Sequence, residues 1–422
     1  MNPPKKIKGL RWYVVSMLFM ATGLNYLDRQ TLSVLAGTIK AELGISAVEY
    51  SYITSAFLIS YMIMYAVSGR LVDRLGTRRA FTIFVTAWSI ASALHALART
   101  ALQFTVCRFL LGATEPANFP AAVKTCSAWF PMRERALAVG LFNSGSALGA
   151  AVAAPLVSLV ALTWGWQSAF VLGGLLGLVW VVVWSLTYRL PREHPWLTTE
   201  ELTLIEGDSP PPAIPVAPPT VRRLLGMRET WGCILARALT DPISYFFIFW
   251  TPLFLQQERG FDLADLGKYS WIPFVALAFG NVAGGGIPQF LARYNWTTDR
   301  ARKTVMGIAS LMIPSCCLLI PSVPHAAGAI ALISVAMFSH AAWANMTLPA
   351  EVFPQNAVGS VSGFGGAAGA LVGAVATVAV GWTVEKFSFT PVFGAIAFLP
   401  LTAFVLVCLL VKNLGRTREI PA

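Results

Sequence analysis

Six ionisable residues, Asp28, Arg29, Arg108, Glu115, Arg237 and Asp241, fall inside stretches of this 422-residue chain that are otherwise nearly all apolar, and their charges sum to zero. A charge at hydrocarbon depth in a bilayer costs at least a few kcal/mol and usually faces a partner or a cavity. Arg237 and Asp241 stand four apart on one helical face, with Pro242 behind them, and read as an internal salt bridge at a kink. Arg108 and Glu115 are seven apart, so they share a face but lie roughly 10 Å apart along it at 1.5 Å per residue. They do not easily neutralise one another. A guanidinium offers a planar fork of donors that grips a carboxylate, and a carboxylate shut away from water takes up a proton more readily. The group therefore contains an anion binder and a proton carrier; a purely structural ion-pair network would draw on the same residue types.

The elements that hold these residues follow from composition. The chain is 56% hydrophobic and only 12% charged, where a soluble domain carries roughly a quarter charged residues. Apolar runs of roughly 20 residues, the length of a membrane-crossing helix, recur near 12–36, 50–70, 79–98, 101–123, 136–160, 167–188, 231–256, 268–291, 304–322, 327–349, 357–383 and 390–411. Twelve crossings are expected, in an all-α integral membrane protein, because lipid leaves helices as the natural way to satisfy the backbone. The first run is too long and too polar at its far end for a cleavable signal, so it should remain in the mature chain.

Basic residues alternate with these runs. Lys5, Lys6, Lys8 and Arg11, then Arg70, Arg74, Arg78 and Arg79, and further groups up to Lys412, Arg416 and Arg418 fall on one side, against Lys40, Arg99, Arg259, Lys268 and Lys386 on the other. That bias places both termini in the cytoplasm and accounts for the net charge of +11 without nucleic acid. The six cysteines show no metal-binding spacing, and no cofactor is expected. With this orientation, Arg29 lies about 10 Å below the outer end of the first span and Arg108 at about the same depth. Asp28 is adjacent, Glu115 is two turns deeper, and Tyr26 and Tyr61 fall between those levels.

The proline-rich stretch SPPPAIPVAPP, residues 209–219, reads as an extended spacer. It divides the chain into an N-terminal six-helix bundle at 1–189, a cytoplasmic linker at 190–228 and a C-terminal six-helix bundle at 229–422. Phe130-Pro131 returns as Phe353-Pro354, and Gly140 as Gly363, at an offset of 223. Such halves are expected to hold a site between them near the midplane.

The loop GRLVDRLGTRRA at 69–80 resembles the Gly-x-Leu-x-Asp-Arg-x-Gly-x-Arg-Arg pattern of the major facilitator superfamily, in Gly69, Asp73, Arg74, Gly76, Arg78 and Arg79. Read plainly it is a basic loop with turn glycines. Read functionally it is a latch, in which Asp73 meets the N-terminal dipole of span eleven near Gly359 and Ser360 and favours an outward-open state. The stretches IKGLRWY (7–13), NYLDR (25–29), CRFLLGATEPANFPAAVKTCSAWFP (107–131), ERALAVGLFNSGSALG (134–149), LTDPISYFFIFWTPLFL (239–255) and RARKTVM (300–306) resemble the anion:cation symporters of that superfamily, and most of all the bacterial hexuronate transporters, with galactonate transporters as relatives.

The resemblance implies a monomeric, multi-pass symporter in a bacterial inner membrane, with a sugar acid, protons and the lipid bilayer as partners. It implies that Asp28 and Glu115 carry protons and that Arg29 and Arg108, with Tyr26 and Tyr61, hold substrate. In the C-terminal half it nominates Tyr245, His340, Trp343 and Asn345. Two other carriers remain open. An organophosphate exchanger would place a second arginine opposite Arg29, where the offset position is Pro252; a carrier of short monocarboxylates or aromatic acids could use one arginine, and an aldonate such as galactonate is the alternative sugar acid. A membrane enzyme would need a nucleophile, a base and oxyanion donors in one pocket, and the sequence offers no such set.

Overall fold

The structure, a computed structural model, describes residues 6–207 and 219–415, so the proline-rich stretch lies outside the described residues except for Pro219. Among the described residues strand pairing is limited to one bridge between Ile7 and Leu197, and the rest is helices and short connections. The first group is α1 (Leu10–Leu43), α2 (Ala47–Leu94), α3 (Ala101–Thr114), α4 (Asn118–Trp129), α5 (Met132–Trp164) and α6 (Trp166–Thr187). Short helices α7 (Thr199–Gly207) and α8 (Val221–Leu225) lead to α9 (Arg228–Arg259), α10 (Leu263–Tyr269), α11 (Ile272–Ala292) and α12 (Thr298–Leu319). The chain closes with α13 (Ala326–Trp343), α14 (Leu348–Val352), α15 (Gln355–Lys386), α16 (Thr390–Ala397) and α17 (Leu399–Leu410).

Nine helical segments among the described residues are long and apolar enough to cross a membrane, which makes this a multi-pass membrane protein. Three local features separate that number from the apolar runs of the sequence. In α1, polar residues from Asn25 to Ser33 dilute the hydropathy. The second and third runs are joined in α2 across a kink at Gly76, whose φ of 73° suits a residue without a Cβ. The fourth run is broken where Pro116 follows Glu115, and a 3-10 turn at Glu115–Ala117 separates α3 from α4.

Helix ends are fixed locally. Ser46 and Glu49 form a reciprocal capping box at the start of α2, satisfying donors that the first turn leaves open. At α1 the side chain comes from a distant segment: Glu201 of α7 accepts from the N–H groups of Gly9, Leu10 and Arg11 at 2.9, 3.1 and 3.2 Å, and from Arg11 Nη1 at 2.8 Å.

One hydrophobic core runs from α1 to α16, and a smaller one gathers Leu224, Met306, Trp343, Leu348, Phe353 and Val407. The first six helices meet the later ones at the end where α1 finishes and α2 begins. There Tyr50 Oη donates to Phe249 O at 2.8 Å, Ser55 Oγ to Ala374 O at 2.8 Å, and Val48 N to Glu385 Oε2 at 2.9 Å. At the opposite end a Cβ built on Gly69, Gly140, Gly359 or Gly363 would meet nothing within 4 Å.

Candidate functional site

Neighbours on a helix point about 100° apart and do not face one another, so Asp28 and Arg29 are adjacent without being a pair. Asp28 turns toward α2 and α6, where Ser92 Oγ donates to its Oδ1 at 2.7 Å and Gly173 leaves room for the carboxylate. Arg29 turns the other way. Its Nε and Nη2 donate to Glu115 Oε2 at 3.2 and 2.7 Å, and Nη2 reaches Asn25 Oδ1 at 3.3 Å. The guanidinium lies 4.6, 5.1 and 5.0 Å from the ring centroids of Tyr26, Phe57 and Tyr61, an arrangement in which cation and ring faces attract.

Sequence spacing puts Glu115 two turns deeper than the arginines; the turn at Pro116 and the reach of the Arg29 side chain bring Glu115 and Arg29 into a direct ion pair. Arg108 is only 2% exposed. Its Nη2 donates to the carbonyl of Arg29 at 3.3 Å, and its Nε and Nη1 have no hydrogen-bond partner among the described residues. Asp28 Oδ2, Glu115 Oε1, Asn25 Nδ2 and Asn118 Oδ1 are buried without partners in the same way. Buried polar atoms are nearly always paired, so an accumulation on α1 and on the α3–α4 stretch that packs against it marks a place suited to a polar ligand. Donors on Arg108 beside free carboxylate oxygens fit an anion and a proton.

Across from this group, Arg237 donates to Asp241 Oδ2 from Nε at 3.0 Å and from Nη2 at 2.9 Å, the i,i+4 pairing the sequence suggests. Glycines on α15 admit these side chains: a Cβ on Gly366 would lie 3.0 Å from Arg237 Nη1 and 3.4 Å from the Tyr65 ring. Tyr65 in turn stacks on Tyr61 at 5.9 Å. A short aromatic ladder thus joins the surroundings of Arg29 to those of Arg237. Tyr245 stacks on Phe249 at 6.1 Å and occupies the space left by Gly373. His340 Nδ1 has no partner among the described residues.

The structure does not bring Trp343 to this group. Its ring is buried in the smaller core and its Nε1 donates to Ser310 Oγ at 2.7 Å, which leaves no donor for a hydroxyl. The side chain of Asn345 lies outside the described residues. Asp73 is held by Lys124 of α4 at 2.7 Å, while the backbone at Gly359 faces open space. Arg78 donates to Ser185 O at 2.7 Å, and Arg74 and Arg79 are exposed.

Four contributors escaped the sequence reading: Ser92, Asn25, Asn118 and Tyr65. Asn25 carried a usable signal, since it stands one turn before Arg29. The others need the packing.

Comparison with known proteins agrees with this architecture. Residues 18–377 match the family model of the Major Facilitator Superfamily. The hexuronate transporter of Escherichia coli K12 is 33% identical over 416 residues, covering 97% of this chain and 96% of that protein. The galacturonate transporter of Dickeya chrysanthemi is 35% identical over 311 residues, 73% of this chain and 90% of that one. Among solved structures, an inward-facing, unoccupied bacterial homologue of the human lysosomal transporter Spinster superposes with a TM-score of 0.72, at 19% identity and 96% coverage of both chains.

Proposed function

The chain belongs to the Major Facilitator Superfamily, and from that premise we propose that it imports a sugar acid, a hexuronate such as glucuronate or galacturonate, together with protons across a bacterial inner membrane. Twelve crossings are proposed: the nine long apolar segments, α1, the second crossing within α2, and the broken α3–α4 helix. They form two six-helix bundles, 1–189 and 229–422, joined by the linker 190–228, with both termini in the cytoplasm and the monomer as the working unit.

The observation that carries this reading is the ion pair of Arg29 with Glu115 beside the partly unsatisfied guanidinium of Arg108. A substrate carboxylate and Glu115 compete for Arg29. When Glu115 takes a proton its hold on Arg29 weakens, and the fork turns to the substrate carboxylate while Arg108 supplies its free N–H groups. Proton and substrate thus favour each other's binding, and such coupling is reciprocal. Asp28, held by Ser92, is the second proton residue. Tyr26 and Tyr61 wall the carboxylate, and Tyr245 and His340 meet the hydroxyls from the C-terminal side. Packing at the end shared by α2, α9 and α15 closes the outer gate, and Asp73 forms the inner latch when the opposite state is reached.

The similarity to hexuronate and galacturonate transporters supports the substrate class. A D-galactonate transporter 28% identical over 419 residues keeps an aldonate as the second reading. The test is inhibition of glucuronate uptake into proteoliposomes by galacturonate, galactonate, lactate and benzoate. Sugar acids should win, because a site built to bind hydroxyls leaves its own polar groups unpaired with ligands that lack them. Equal inhibition by lactate and galacturonate would defeat the sugar-acid assignment.

A further inference from the structure

Away from the central site, the end of α6, the kinked part of α2 and one face of α4 border a half-open cavity of about 670 Å³ whose charged lining is Arg78, Arg79, Lys124 and Arg189 against one carboxylate, Glu193. Among the described residues Arg78 and Arg189 are engaged by backbone alone: Arg78 donates to Ser185 O at 2.7 Å, and Arg189 to Ser185 O and Tyr188 O at 3.1 and 2.7 Å. Neither is paired with a carboxylate among the described residues. Arg79 has no hydrogen bond or ion pair among the described residues. Lys124 is paired with Asp73, an exposed contact that a stronger anion can displace.

The walls are built rather than incidental. Tyr188 and Thr77 share a hydroxyl hydrogen bond at 2.8 Å, Trp184 stacks on Tyr188 at 3.9 Å, and Thr82 meets Ser185 at 3.2 Å. Two apolar residues of the lining, Ile83 and Leu190, are exposed. Positive-inside bias explains why cations lie at this end of the helices. It does not explain why four converge on one cavity at the border between an apolar belt and water.

We propose that this cavity binds the phosphate group of an anionic ligand, and that an anionic phospholipid of the inner leaflet is its occupant. Unpaired guanidiniums match phosphate oxygens, a basic pocket at this level suits a lipid headgroup, and the exposed apolar residues of the lining suit acyl chains. Free phosphate offers the same chemistry without the chains. The proposal rests on the membrane orientation given above and not on the substrate assignment. Because Lys124 also holds Asp73, a phosphate that takes Lys124 releases Asp73 for other partners.

The test is retention of lipid by the purified full chain, taken from mixed phosphatidylglycerol and phosphatidylcholine micelles and weighed by native mass spectrometry. The wild type should retain phosphatidylglycerol preferentially, and Arg79→Ala should lower that preference about fivefold, with a similar further loss in Arg79→Ala/Arg189→Ala. Arg79 is exposed and has no partner among the described residues, so its removal should leave the melting temperature unchanged and separate loss of binding from loss of fold. Inorganic phosphate distinguishes the sources. Preference that survives millimolar phosphate assigns the lipid. Phosphate that displaces the lipid and stabilises the wild type but not Arg79→Ala assigns a soluble phosphate anion and overturns the lipid. No preference in the wild type, or equal preference in both variants, overturns the site.

Discussion

Two buried arginines, Arg302 and Arg108, show how burial alone fails to separate structure from function. They are 4% and 2% exposed. Every nitrogen of Arg302 has an acceptor: Nε reaches Glu351 at 3.0 Å, Nη1 the carbonyl of Gly284 at 2.9 Å, and Nη2 the carbonyl of Ala344 and Thr347 Oγ1 at 3.2 and 2.6 Å. It ties α11, α12, α13 and α14 into one corner, including the turn at Ala344 with its positive φ of 51°. Arg108 makes one long hydrogen bond and leaves Nε and Nη1 without partners among the described residues. A guanidinium with an acceptor at every nitrogen is a clamp on its own fold. One with donors to spare, beside carboxylate oxygens in the same condition, is suited to hold something that arrives from outside.

The largest effect is expected where the comparison is structural. Arg302→Ala would remove the cation from Glu351 and one donor from each of three oxygen acceptors, and breaking a buried pair in this way costs about 3–5 kcal/mol. The variant should melt far below the wild type in detergent or fail to accumulate. A wild-type melting temperature would break the comparison at its firmest point.

Next comes coupling. Glu115→Gln keeps shape and burial but cannot exchange a proton, so glucuronate accumulation in proteoliposomes driven by acid outside should vanish while substrate-for-substrate exchange persists. Accumulation against a gradient by this variant would take the proton away from Glu115.

A smaller effect is expected at Arg237 and Asp241, whose two short contacts resemble the Arg302 case in miniature. Asp241→Asn should cost about 1–2 kcal/mol of stability and leave the order of preference among acids unchanged in the competition assay. A gain for acids with two carboxylates would instead show that Asp241 masks Arg237 from substrate, moving the pair from scaffold to site.

Much of this was legible in the sequence because charge in an apolar run is costly enough to be conspicuous. Asp28, Arg29, Arg108 and Glu115 stood out for that reason, and the apolar runs located the helices. Their partners were not legible. The meeting of Arg29 with Glu115 depends on the turn at Pro116 and on a side chain long enough to cross between helices, and Ser92 reaches Asp28 only through the packing of α2 on α1. Arg302 was hidden for the opposite reason: it sits in a basic segment that reads as solvated loop, and only the corner built by α11 to α14 buries it. Trp343 misled because an aromatic residue late in an apolar run reads equally well as a cavity wall or as core, and the Ser310 hydroxyl that occupies its N–H is distant in sequence.

The central claim is that the free donors of Arg108 receive the substrate carboxylate. Calorimetric titration of glucuronate into purified wild type and Arg108→Lys tests it most directly, because lysine keeps the charge and removes the fork. Binding should weaken at least about tenfold, equivalent to about 1.4 kcal/mol, with the melting temperature little changed. Wild-type affinity in Arg108→Lys would contradict the claim.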